Sequence, residues 1–371
     1  MRLRLLVCLG LLIVLLTTCT APPIVSSPPG MPRPAAVGSN TAHSGALEAE
    51  TGPTMRPPLP LAIYYGWPSA VAFEGGTGIP VAEQFGQFTV VVLGAGLNQP
   101  SHPDYSQALA LIQELRGRNV EVYGYIDMGI VTQPRSLSFA ELEDEIDLWQ
   151  RMGVTGVFWD DAGYEYAGRV SYRNYRDRLA SLVQRTHSAG LRAFLNAWNP
   201  DDLFQVTGPD GDLVRIPPLQ STDLILAESW FVSNNRFVNP TTWHLRAEKL
   251  AAYRLQQPFR LACVATGSDR SGMEETSQFQ AAYWAAVMYG CDLFQYTNPE
   301  YSAVALPQGN NLHVHDSPTV TPGDHFVGDV IATQSQGGWK FTRPTQRGEI
   351  VVASDGDHAG YGFFRRREAN P

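Results

Sequence analysis

Tyr123-Gly124-Tyr125-Ile126-Asp127, then Phe139 through Met152, then Gly156-Val157-Phe158-Trp159-Asp160-Asp161: the architecture of the chain can be read outward from these three pieces. The outer two are short β-branched and aromatic runs, which read as strands. The middle piece carries apolar residues three and four apart, the spacing that lines one face of a helix. Gly153 follows it, where a residue without Cβ most easily adopts a left-handed helix cap. Strand, helix, strand in this rhythm predicts two parallel strands joined by a crossover helix.

The rhythm extends in both directions. Strands are expected at Leu61–Tyr65, Phe88–Leu93, Val120–Ile126, Gly156–Trp159, Arg192–Asn196, Asp223–Ala227, Phe259–Ala265 and Asp292–Tyr296. Helical patterns lie between them at Tyr105–Arg116, Phe139–Met152, Tyr172–His187, Trp243–Gln256 and Ser277–Met288, with glycine stops at Gly117, Gly153 and Gly190. Eight such strands predict an α/β (β/α)8 TIM barrel over residues 59–300. Two connections break the pattern: Gly75–Gln87 lacks a clear helix, and Pro200–Thr222 carries the turn signal Gly208-Pro209-Asp210-Gly211. Residues 301–371 read as a small β appendage, whose Gly348–Ser354 and Gly360–Arg365 form a hairpin across Asp355-Gly356-Asp357.

Ahead of the barrel stand Arg2 and Arg4, an apolar run from Leu5 to Leu16, and Thr17-Thr18-Cys19. This is the layout of a signal peptide whose apolar run is too short to span a bilayer. Leu16-Thr17-Thr18-Cys19 resembles a bacterial lipobox, in which Cys19 receives the lipid; the alternative is a plain signal and a freely secreted protein. Either way the chain is exported. Residues 20–58, rich in Pro, Ser, Gly and Ala, are expected to be a flexible tether, so that a chain beginning near Pro57 would fold alone.

The formal charge of -9, without a Lys/Arg cluster, argues against a nucleic-acid partner, because phosphate neutralisation needs a basic face. Cys263 and Cys291 sit on consecutive predicted strands; a disulfide is open to them, and two buried thiols are the expectation. No Cys/His spacing fits a zinc site, and His313 and His315 read as loop histidines, so neither metal nor cofactor is called for.

In such a barrel, function gathers at the carboxyl ends of the strands, where the loops converge. Here those ends read Asp127, then Asp160-Asp161, then Asn196-Ala197-Trp198, then Glu228-Ser229-Trp230, with Tyr65 and Tyr296 closing the first and last strands. Asp160 and Glu228 would face one crevice from two sides. Glycosidic cleavage needs two such groups, one to protonate the leaving oxygen and one to act as nucleophile or base. Asp127, Asp161 and Asn196 would hold sugar hydroxyls or tune the acids. Tyr65, Trp198, Trp230 and Tyr296 would offer flat rings for stacking, whereas Trp149 and Trp284 lie in helical patterns and read as core.

The strand Gly153 to Asp160 is similar to the "G-x-D-G-(V/I)-F-(L/F)-D" strand of glycoside hydrolase family 114, the endo-α-1,4-polygalactosaminidase group, and of the related spherulation-specific family. Tyr123-Gly124-Tyr125-Ile126 looks like their "(I/L)-G-Y-(I/V)" strand, and Asn196 with Ala227-Glu228-Ser229 resembles the "N…(V/E)-E-S" pair. The resemblance implies a TIM-barrel glycosidase with Asp160 and Glu228 as its catalytic carboxylates. It departs at Gly163, which stands where the hydrolase group often has a second aspartate. Three functions follow in order: a monomeric glycosidase acting on an envelope or extracellular polysaccharide rich in amino sugars; a non-catalytic surface lipoprotein that binds glycan in the same crevice; a structural envelope protein. The line of polar strand ends weighs against the last.

Overall fold

A computed structural model of the protein describes residues 52–74, 80–129, 137–267, 273–298, 312, 314–335 and 337–367. The segment expected to be a signal with Cys19, the part of the expected tether up to residue 51, and His313 lie outside the described residues.

The chain runs β1 (Leu59–Tyr64), α1 (Pro68–Glu74), α2 (Val81–Phe85), β2 (Val90–Leu93), α3 (Tyr105–Gly117), β3 (Glu121–Asp127), α4 (Phe139–Met152) and β4 (Gly156–Asp160). It continues through α5 (Tyr172–Ser188), β5 (Arg192–Asn196), the short α6 (Asp201–Phe204) and β6 (Leu224–Ala227). A two-stranded hairpin, β7 (Val232–Ser233) and β8 (Arg236–Phe237), precedes α7 (Pro240–Gln256), β9 (Arg260–Thr266), α8 (Met273–Met288) and β10 (Leu293–Thr297). Strands β1 to β6, β9 and β10 close into a parallel barrel in chain order. The expected eight strands are the eight barrel strands, with no end shifted by more than two residues.

Alternate side chains of each strand go to opposite faces. Leu61, Ile63, Val90, Val92, Tyr123, Tyr125, Phe158, Phe194, Leu226 and Val264 fill the barrel interior. The residues between them, such as Val91, Val122, Trp159 and Leu195, pack outward in the core shared with the helices. Where β1 meets β10 only two residue pairs are in register, Leu59 with Leu293 and Pro60 with Phe294. The Gln295 side chain continues the seam by accepting from the Ile63 N–H at 2.8 Å, so a buried backbone donor is not left unpaired.

The amino end of the barrel is closed by charge pairs. Glu121 of β3 accepts from Arg192 of β5 at 3.0 Å and from Arg260 of β9 at 2.8 Å. Asp223, fully buried before β6, accepts from the Ala193 N–H at 2.8 Å and the Gln220 N–H at 2.7 Å, and meets His187 Nε2 at 2.9 Å. Helix α4 starts with a capping box between Ser138 and Glu141 and stops, as expected, at Gly153 with φ 83°. Gly190 is likewise left-handed, at φ 74°. Gly117 is not: it lies inside α3, and the left-handed residue is Asn119, at φ 61°.

Beyond the barrel, β11 (Ile331–Ser335), β12 (Gly338–Pro344), β13 (Gly348–Ser354) and β14 (Gly360–Arg366) form an antiparallel sheet in that order. The hairpin expected from sequence is β13–β14, and β11 and β12 extend it. The sheet lies against α8: a Cβ on Gly362 would come within 2.6 Å of Ala281 Cα, and the Phe364 ring stacks on Trp284 at 6.1 Å.

Two further expectations are corrected. Cys263 and Cys291 are joined in a disulfide, not held as two thiols; the connection from α8 into β10 sets Cys291 beside β9, with the two Cα atoms 6.1 Å apart, within the range a disulfide spans. The folded chain also starts before residue 59. Met55 is 1% exposed in the main core, its N–H donates to the Asp324 carbonyl at 2.7 Å, and Thr54 bridges His325. A chain beginning at Pro57 therefore loses a buried side chain and a bridge to the segment ahead of β11. It should be less stable in urea than one beginning at Gly52 by about 2–5 kcal/mol, the cost of emptying a Met site. Equal unfolding midpoints for the two would show that residues 52–56 contribute nothing.

Candidate active site

The inward parity of each strand, carried one step past its last apolar interior residue, puts a polar side chain over the carboxyl end of the barrel. Tyr125 gives way to Asp127, Phe158 to Asp160, Phe194 to Asn196 and Leu226 to Glu228. Asp160 and Glu228 are each followed by a non-glycine residue in the left-handed region, Asp161 at φ 53° and Ser229 at φ 53°, with Phe231 at φ 61° beyond. Such backbone costs on the order of 1–3 kcal/mol per residue and persists where surrounding contacts enforce it. It turns the chain off the strand immediately after each acid, which leaves the carboxyl at the rim. The Ala162 N–H to the Asn196 carbonyl (2.8 Å) and the Trp230 N–H to the Val264 carbonyl (2.7 Å) pin the two turns to the neighbouring strands.

Asn196 Nδ2 donates to Asp160 Oδ1 at 2.8 Å and to Glu228 Oε2 at 3.2 Å. One amide nitrogen thus holds both carboxylates. The other Asp160 oxygen accepts from the Tyr125 hydroxyl at 2.9 Å, and the Asp161 N–H also donates to this carboxylate. The Glu228 carbonyl accepts from Arg246 of α7, whose guanidinium is buried. Asp127 turns one oxygen to the Gly129 N–H at 2.7 Å, which ties it to the start of the next loop.

Burial pushes both acids above the usual carboxyl range. At Asp160 the bonds from Asn196, Tyr125 and Asp161 oppose that rise, and the charge of Asp127 adds to it. At Glu228 the charge of Asp160 adds to burial, while the bond from Asn196 and the charge of Arg246 oppose it. The two environments differ in kind: Asp160 sits among donors that favour its anion, and Glu228 sits beside that anion with fewer donors of its own. Tyr166, in the turn after β4, is pushed up to about 12 by burial and by the charges of Asp161, Glu165, Glu228 and Asp160.

Of the residues expected to line the site, Asp160, Glu228 and Asn196 are brought together by hydrogen bonds, with Asp127 and Asp161 beside them. Tyr65 is half-buried and sets its edge on Tyr125 at 5.3 Å. Trp198 presents an open face, 48% exposed, and its ring lies 4.3 Å from the Arg246 guanidinium carbon. Trp230 and Tyr296 are corrections. Trp230 is 0% exposed and packs edge-on against Trp243 at 5.5 Å, because the left-handed Ser229 throws it back into the helix layer. Tyr296 has the outward parity of β10 and lies against Phe279 at 5.6 Å, as does the ring of His315 at 4.7 Å. Neither Trp230 nor Tyr296 can stack on a ligand in the crevice. Tyr125, Tyr166 and Arg246 were missed. Tyr125 shares the face of Asp127 two residues on, a signal open to reading; Arg246 arrives from a helix and left none.

No protein-family model matches the chain, and no curated protein matches it. Among solved structures it is similar to the glycoside hydrolase domain of PelA from Pseudomonas aeruginosa, at 15% identity over 65% of this chain and 94% of that one, with a TM-score of 0.43. It is similar to Aspergillus fumigatus Ega3 in complex with galactosamine, at 11% identity over 68% and 94% of the two chains, TM-score 0.39. It is also similar to alpha-galactosidase I from Mortierella vinacea, at 10% identity over 82% of each chain, TM-score 0.46. The TIM barrel itself is defined by the closed ring of eight parallel strands.

The raised carboxyls make a stability prediction. An acid whose folded pKa lies above its unfolded one favours the fold while protonated, and that advantage is lost as pH rises from the ordinary carboxyl value through the raised one. Glu228→Gln, which keeps shape without charge, should therefore melt higher than the parent at pH 7, and the gap should close as pH falls toward about 4, where a free glutamate protonates. A variant that melts lower than the parent at pH 7 would contradict the assigned cost of the buried charge.

Proposed function

We propose that the protein is a retaining glycoside hydrolase acting on an amino-sugar-rich polysaccharide outside the cell, with Asp160 as nucleophile and Glu228 as general acid. The observation that carries this reading is the shared Asn196 nitrogen. Two oxygens bonded to one nitrogen at 2.8 and 3.2 Å can stand no more than about 6 Å apart, closer than the roughly 6.5–9.5 Å of an inverting pair and compatible with the ~5–5.5 Å of a pair that works through a covalent glycosyl intermediate.

The roles follow from the surroundings. Asp160, with three donors, is held as the anion that attacks the anomeric carbon; Glu228, raised by burial and by that anion, keeps the proton it gives to the leaving oxygen. Once the leaving sugar departs, Glu228 is the base that takes a proton from the incoming water. The sugar being cleaved meets Asp127, Asp160 and Asp161 together, a negative mouth that favours a cationic amine over an anionic glycan. Trp198 supplies a stacking face for a neighbouring sugar. Reaction by this route uses no metal or cofactor. Export through the amino-terminal signal, with lipid on Cys19, would put the domain where such polymers lie.

Assays of the full chain against galactosamine, N-acetylgalactosamine and neutral polymers should find turnover on the amino-sugar substrates. Asp160→Asn should lower kcat by on the order of 10³-fold or more while leaving ligand binding in place. The first product seen by NMR should keep the anomeric configuration of the substrate. An inverted product would remove the retaining assignment, and undiminished turnover by Asp160→Asn would remove Asp160 from the chemistry.

A further inference from the structure

We propose that Arg246 is a positioning residue that couples the Trp198 sugar platform to the Glu228 acid, an assignment that rests on the glycosidase reading above. Arg246 stands on α7 and is 8% exposed, so its guanidinium reaches the site from behind the strands. One nitrogen, Nη2, donates to the Glu228 carbonyl and, at 3.4 Å, to the Ser229 carbonyl. The same guanidinium lies under the Trp198 ring, its carbon 4.3 Å from the ring centre.

Each contact answers a need left by the backbone. Strand β6 ends at Ala227, and Ser229 is left-handed, so the Glu228 carbonyl lies past the end of the ladder. A carbonyl drawn even partly out of water without a donor is costly, and Arg246 supplies the donor. Trp198 is 48% exposed on its outer side and would have several rotamers open to it; a cation against its inner face selects one. A planar guanidinium can fork to two carbonyls and stack on a ring at once, whereas an ammonium offers a point charge without a flat face. Burial lowers Arg246 to about 10, so it remains a cation at neutral pH.

The charged and titratable groups facing Glu228 are Asp160 from β4, Tyr166 from the turn after β4, and Arg246 from α7, with the neutral Asn196 from β5. Arg246 is the cation of this set. It favours the Glu228 carboxylate, so its loss must raise the pH at which Glu228 gives up its proton.

The experiment compares Arg246→Met, Arg246→Lys and Trp198→Ala on a galactosamine oligosaccharide, with folding checked by thermal melts and crystal structures of the two Arg246 variants. Arg246→Met should raise KM as far as Trp198→Ala does, lower kcat by on the order of 10²-fold through the displaced acid, and move the alkaline limb of the kcat profile to higher pH. Arg246→Lys should restore the limb but not the KM, because it returns charge without the flat face. In both variants the Trp198 ring should leave its position. An Arg246→Met protein with parental KM, kcat and limb would overturn the proposal. If Arg246→Met does not fold, an Arg246→Lys protein with parental KM and an unmoved Trp198 ring would overturn it. Absence of turnover by the parent chain on every polymer would defeat the glycosidase reading instead; the Trp198 ring positions would then decide the coupling alone, a displaced ring supporting it and an unmoved ring overturning it.

Discussion

The Asn196 amide nitrogen, shared between Asp160 and Glu228 at 2.8 and 3.2 Å, is the contact around which the site is organised. It can exist because three adjacent strands of a closed barrel, β4, β5 and β6, present their inward side chains at one height. A shift of one residue in any of these strands would turn its polar end toward the helices. The barrel therefore does more than carry the site. Its filled interior below, from Tyr125 and Phe158 to Phe194 and Leu226, holds the strand spacing that sets the distance between the acids.

That placement has a stability cost, met elsewhere in the fold. Two carboxyls above the ordinary range and left-handed turns at Asp161, Ser229 and Phe231 all burden the carboxyl end. The amino end carries the opposite kind of chemistry: Glu121 between two arginines, and buried Asp223 with three partners. Conflict at one end and satisfied pairs at the other is the division of labour expected of a barrel whose function sits at its carboxyl face.

The strand ends were legible in the sequence because the signal is local: an apolar run followed by Asp127, Asp160, Asn196 or Glu228 needs only alternation to be read. The same alternation, applied to Tyr296, would have turned that ring outward, since it lies one residue from the inward Gln295. Trp230 could not be placed this way, because the left-handed Ser229 breaks the period. Arg246, the Cys263–Cys291 bond and the docking of Met55 depend on which distant segments meet, and no spacing along the chain records that. The sheet of β11 to β14 was half legible, through the Asp355-Gly356-Asp357 turn of its last hairpin.

Everything proposed for the site turns on the division of roles between the two acids, and dependence on the leaving group separates those roles. An aryl glycoside whose phenol leaves without help needs no proton from an acid, but it still needs a nucleophile. Single-turnover rates with such a substrate should be near parental for Glu228→Gln and reduced by on the order of 10³-fold for Asp160→Asn. Near-parental rates for Asp160→Asn with a silent Glu228→Gln would contradict the assignment and exchange the two roles.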